Sequence, residues 1–152
     1  MDDKKFLKGA ALGGMTEVEL GKLAAQKATS DDIKQFGQKL VEDHTKANTE
    51  LKEVASKDNI PIPDTLDSKH QSRIEKLSKL SGEQFDKAYV KDQVKDHQAD
   101  IKDFKDEAQN GNDPQCKGIC LEHASRLAGS PCQSEELEQV GEERIRQVTA
   151  RL

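Results

Sequence analysis

Residues 30–57 read SDDIKQFGQKLVEDHTKANTELKEVASK, and this stretch decides the fold. Ser30 followed by Asp31 and Asp32 is a helix-start signal: a hydroxyl can cap the first amides, and acids in the first turn suit the helix dipole. From there Ile33, Phe36, Leu40, Val41, His44, Ala47, Leu51, Val54 and Ala55 recur at spacings of three and four. That period predicts one long amphipathic helix to about Lys57. Asn59-Ile60-Pro61-Ile62-Pro63-Asp64 then excludes regular helix, because each proline lacks an amide donor and clashes with the preceding turn.

Working outward, the same period appears on both sides. Toward the N-terminus, Phe6, Ala10, Gly13, Glu17, Leu20, Ala24 and Ala28 form one stripe, and Leu7, Ala11, Met15 and Val18 an adjoining one. They predict a helix over residues 3–28. Beyond the prolines, Leu66, Ile74, Leu77 and Leu80 predict a short helix over 66–80. Ser81-Gly82-Glu83-Gln84 has the form of a capping box. It opens a third long helix to about Gln109, with Tyr89 or Val90, Val94, His97, Ile101, Phe104 and Ala108 inward. Asn110-Gly111-Asn112-Asp113-Pro114 is a stop and restart. Cys116, Ile119, Cys120, His123, Ala124 and Leu127 then form a shorter stripe, broken at Gly129-Ser130-Pro131. A weak last helix is expected over 134–152, with Leu137, Val140, Ile145, Val148 and Leu152. No strand pattern occurs. The expected class is all-α: two long helices, a crossover, a third long helix, and a divergent C-terminal segment over 116–152.

Composition limits what such a chain can do. Of 152 residues, 35% are charged, 33% hydrophobic and 3% aromatic, with no Trp. An aromatic-rich core is excluded, and only periodic patterning supports a fold at this composition. No apolar run approaches the roughly 20 residues of a membrane span. A net charge of −5 argues against nucleic acid as a partner. The charged start, Met-Asp-Asp-Lys-Lys, lacks the pattern of a signal peptide. The three cysteines, Cys116, Cys120 and Cys132, are an odd, clustered set rather than a disulfide framework. Cys132 can pair with Cys116 or Cys120 in an oxidising compartment, and free thiols are expected in the cytosol. The chain contains no Walker loop, no Gly-x-Ser-x-Gly, no Cys-x-x-Cys and no dinucleotide fingerprint.

Three polar residues interrupt the apolar stripes: Glu17, His44 and His97. Glu17 lies about 12 residues before the first interhelical turn and His44 about 14 after it. In an antiparallel pair that places them roughly 3 Å apart along the axis, at about 1.5 Å per residue. His97 falls near the middle of the third long helix. A carboxylate and two imidazoles from three helices is how bundles build metal sites, and neutral imidazole suits Zn, Fe, Ni or Cu. The competing reading is structural: each His a hydrogen-bonded core residue, and Glu17 an edge residue paired with a Lys. Asp43 and Asp96 each precede a His, where an Asp orients a neighbour or faces water. Glu19 and His70 are expected at the surface, and Tyr89 in the core. Cys120-x-x-His123 offers metal-compatible types, but two ligands alone are a weak signal.

Several of these motifs recur together in one family. Glu17-Val18-Glu19-Leu20-Gly21-Lys22-Leu23-Ala24, Val41-Glu42-Asp43-His44-Thr45-Lys46-Ala47-Asn48, Leu80-Ser81-Gly82, Phe85-Asp86-Lys87-Ala88-Tyr89 and Asp96-His97 fall in an order and spacing that resemble the bacterial domain-of-unknown-function 4142 family. The resemblance covers residues 3–115. It implies a ferritin-like four-helix bundle with a short crossover helix between the second and third long helices. It also implies a protein exported to the periplasm or cell surface, of no established activity, with Glu17, His44 and His97 as the positions to watch. Ferritin-like relatives hold metal with Glu-x-x-His pairs, and this chain has none.

After Gln115 the chain departs from the family's pattern. Read one base out of frame, codons compatible with Lys117–Cys132 encode Lys-Glu-Phe-Ala-Ser-Asn-Thr-Leu-Pro-Asp-Leu-Gln-Asp-His-Leu, which resembles the family's last helix. A frameshifted C-terminus is therefore expected, and an altered fourth helix invites homo-oligomerisation. The functional expectations are a ferritin-like protein with a transition-metal site at Glu17, His44 and His97, or a non-catalytic helical module for protein interaction or envelope stress.

Overall fold

The computed structural model describes residues 3–112, with 114, 117 and 118. Its described residues form the helices α1 (Asp3–Lys27), α2 (Asp31–Lys57), α3 (Ser68–Ser78) and α4 (Gly82–Asn110). Among the described residues there is no strand. The class is all-α, with the short α3 crossing between the second and third long helices as the sequence predicts. The helices expected after Pro114, the cysteines, His123 and the out-of-frame segment lie outside the described residues, apart from positions 117 and 118. By internal packing the chain divides into two units, Leu7–Lys91 and Met1–Phe6 with Asp92–Leu152.

In the Leu7–Lys91 unit, α1 and α2 form an antiparallel hairpin. Asp31 and Asp32 open α2 and Lys57 closes it, each charge matched to the dipole at its end. The two helices come close at two glycines. A Cβ on Gly21 would stand 2.6 Å from the carbonyl oxygen of Gly37, and one on Gly37 as close to that of Gly21. Seven residues before Gly21, a Cβ on Gly14 would collide with the Asn48 side chain. These contacts fix the register: Gly14 stands opposite Asn48, and Gly21 opposite Gly37 and Val41. Leu20, Ala24, Ile33, Leu40, Leu51, Val54 and Ala55 fill the core, joined by Leu77 of α3 and Phe85 and Tyr89 of α4. Tyr89 is fully buried and stacks on Phe85 at 5.6 Å, a core role as expected.

The α1–α2 turn is held differently from the expectation. Ser30 sits at the N-cap of α2, but its side chain makes no capping bond. Instead the carboxylate of Asp86, from the first turns of α4, accepts the backbone amides of Thr29 (3.1 Å) and Ser30 (3.0 Å) and the Thr29 hydroxyl. These are charge-assisted hydrogen bonds, stronger than those to a neutral acceptor. Lys27 extends this tie by donating to the Ser78 carbonyl at the end of α3. The crossover helix caps itself: Asp67 accepts the His70 amide at 2.9 Å and meets the His70 ring at 2.7 Å. His70 is therefore half-buried rather than a plain surface residue.

In the second unit Phe6 meets the Phe104 ring edge-on at 5.2 Å. The α4 stripe is also more polar than expected. Gln93 and Glu107 are buried, whereas Val94, Ile101 and Ala108 are half-buried.

Candidate metal centre

Glu17 is buried completely on α1. The neighbours on its face, Leu20 and Ala24 a turn and two turns on, are core residues, so the helix that buries them also buries the carboxylate. His44 occupies the matching level on α2, between Leu40 and Ala47, and is 4% exposed. Their donor atoms lie within 4.8 Å of one another. The hairpin register read from the sequence thus brings this pair together. Asp43, next to His44, turns outward and pairs with Lys39 at 3.1 Å; Glu19 is exposed and pairs with Lys22 at 2.7 Å.

A fully buried carboxylate needs compensation, since removing a charge from water costs several kcal/mol. Part of it comes from α3. The Arg73 guanidinium donates to Glu17 Oε1 at 3.2 Å, with the Arg73 side chain 21% exposed and that of Glu17 1% exposed. The expectation of an edge Glu paired with a Lys is corrected on both points: Glu17 is interior, and its partner is an arginine of the crossover. Arginine was the residue the sequence reading missed. The signal was present: Arg73 lies four residues before Leu77, the buried residue of α3, and so shares its face.

His97 belongs to the other unit and is half-buried on α4. Its Nδ1 stands 2.9 Å from the carbonyl oxygen of Gln93, one turn earlier. A carbonyl can only accept, so Nδ1 carries the proton. In the neutral ring the lone pair then sits on Nε2, the tautomer and orientation in which histidines bind metals. Gln93 has a further feature. Its side-chain amide is 3% exposed, and neither its oxygen nor its nitrogen has a hydrogen-bond partner among the described residues. Buried amides are almost always satisfied, which makes Gln93 an exception among the described residues.

The family comparison bears on the whole of this region. The model of the family described as Domain of unknown function (DUF4142) matches residues 1–137. The chain belongs to the DUF4142 family. The match extends past residue 115, where the motif resemblance was expected to stop. No curated protein and no solved structure matches the DUF4142 chain.

Proposed function

We propose that this protein is a ferritin-like, exported member of DUF4142 that holds one divalent transition-metal ion with Glu17, His44 and His97. The observation that carries the reading is that Glu17 and His44, both buried within the Leu7–Lys91 unit, offer donor atoms within 4.8 Å of one another, with His97 the third ligand the sequence names. Metal–nitrogen and metal–oxygen bonds of about 2.0–2.2 Å put tetrahedral ligands roughly 3.4 Å apart. Closing the difference needs less than about an ångström of movement per side chain. Two imidazoles and one carboxylate suit Zn, Fe, Ni or Cu, and leave a coordination position for water or a substrate. A single carboxylate with no Glu-x-x-His supports a one-metal site and not a di-iron centre.

A second reading has its own support. Arg73 already neutralises Glu17, as it would in a structural ion pair within a metal-free interaction module. Elemental analysis of the purified protein separates the two. The metal reading expects about one ion per chain in wild type and loss of that ion in His44→Ala and His97→Ala. The absence of stoichiometric metal in wild type, after incubation with Zn, Fe, Ni and Cu salts in turn, refutes it.

A further inference from the structure

Arg73 raises a conflict that the metal reading must resolve. Its guanidinium stands 3.2 Å from Glu17 Oε1, so an ion bound by the same carboxylate would lie within a few ångströms of a fixed positive charge. Inside a protein that repulsion is weakly screened. We propose that Arg73 is a displaceable counter-ion of the site: it neutralises Glu17 while the ion is absent and withdraws when the ion enters, loosening α3. The inference rests on the metal reading of Glu17.

Three observations support it. First, the two partners differ in access. The Glu17 side chain is 1% exposed and cannot leave, whereas the Arg73 side chain is 21% exposed and already has a path to solvent. Arginine recovers hydration by swinging its head outward while its stem stays packed. Secondly, α3 is short and lightly buried. It has 11 residues, with Leu77 its buried one, and a proline-bearing segment without helix precedes it. Thirdly, its anchors are unevenly placed. Leu77 and the Ser78 carbonyl, which Lys27 binds, hold the C-terminal end. Toward the N-terminal end, Asp67 and His70 bond to each other, and Arg73 makes the tie to α1. Releasing Arg73 from Glu17 therefore removes a tie of the first two turns of α3 and leaves the last one held. The same exchange explains how a buried carboxylate remains folded before metal arrives, with one cation substituting for another.

The alternative has Arg73 staying on Oε1 and orienting Glu17 while the ion takes Oε2, and the two give opposite results. The experiment measures Zn affinity by competition with a chromophoric chelator at fixed pH, for wild type, Arg73→Gln and Arg73→Lys. Displacement predicts at least tenfold tighter binding in Arg73→Gln, about 1.4 kcal/mol, and near wild-type affinity in Arg73→Lys, which keeps the competing charge. It also predicts faster amide exchange of residues 68–73 in wild type on adding Zn, a measurement that needs no variant to fold. Unchanged or weaker binding in Arg73→Gln, or exchange of 68–73 that slows with Zn, overturns the inference and leaves the metal site intact. A wild type that binds no Zn sensitive to His44→Ala removes both.

Discussion

Glu107 gives the sharpest prediction about pH. The residue is fully buried near the end of α4, and neither carboxylate oxygen has a hydrogen-bond partner of regular geometry. Burial, and then the neighbouring Asp3 carboxyl, push its pKa up from 4.5 to about 7. In the unfolded chain the group ionises near 4.5. The folded state therefore holds a proton that the unfolded state releases as pH rises above that value. Stability is highest below about pH 4.5, as far as this group is concerned. It falls as pH rises toward 7 and is level above it. Two and a half units at about 1.36 kcal/mol each set a ceiling of about 3 kcal/mol. Asp3 is half-buried, so solvent screens part of the repulsion, and a loss of about 1–2 kcal/mol is expected. The test is Glu107→Gln, which keeps the shape, cannot ionise and removes the repulsion. Urea denaturation of both proteins at pH 5 and pH 8 gives the difference. Glu107→Gln should gain about 1–2 kcal/mol on wild type at pH 8, and much less at pH 5. Equal differences at the two pH values, or a variant weaker at pH 8, refute the argument that Glu107 is held protonated.

Further outcomes follow from the hairpin and its tether. Asp86→Ala removes the acceptor of two part-buried backbone amides and a hydroxyl, so a loss of about 1–3 kcal/mol is expected from the denaturation midpoint. Asp86→Asn, which keeps one acceptor oxygen, should lose about half as much. Gly21→Ala forces a methyl to within 2.6 Å of the Gly37 carbonyl. It should cost about 1–2 kcal/mol net of its gain in helix propensity, and Gly21→Val more. Gly9→Ala, where a Cβ meets nothing within 4 Å, is the control and should gain roughly 0.5–1 kcal/mol in thermal melts. Sequencing the coding DNA over Lys117–Cys132 tests the proposed frameshift. Codons that cannot give the family-like helix one base away end that idea.

How far the sequence could be read depended on what kind of residue each step needed. Helix extents were legible because period and breakers act locally: Pro61 and Pro63 end one segment and Ser81-Gly82 begins another. The Glu17–His44 pairing was legible too, because a three-residue turn fixes an antiparallel register and the arithmetic then follows. Gln93, Glu107 and Asp86 were not. A reading that selects buried positions by hydrophobicity passes over every buried polar residue, and α4 buries three of them. The Ser30 error has the same root. Sequence shows a hydroxyl in the capping position, but not that it goes unused there, nor that a carboxylate 56 residues away holds the turn by the Thr29 and Ser30 amides.

Glu17 is the place where that blindness matters most, because its cost constrains its role. A leucine at position 17 would fill the stripe between Ala10 and Leu20 with no charge to desolvate, and replacing buried ion pairs by apolar residues is often neutral or stabilising. The Arg73 pair is therefore a poor explanation of the site by itself. It neutralises a carboxylate that packing alone does not require. His44 within 4.8 Å adds a second polar group to the same interior level. His97 carries its proton on the nitrogen that faces its own helix, which puts its ligand lone pair on the other. An ion shared by Glu17 and His44 would account for two polar groups at one interior level of the Leu7–Lys91 unit, where the Arg73 pair accounts for one.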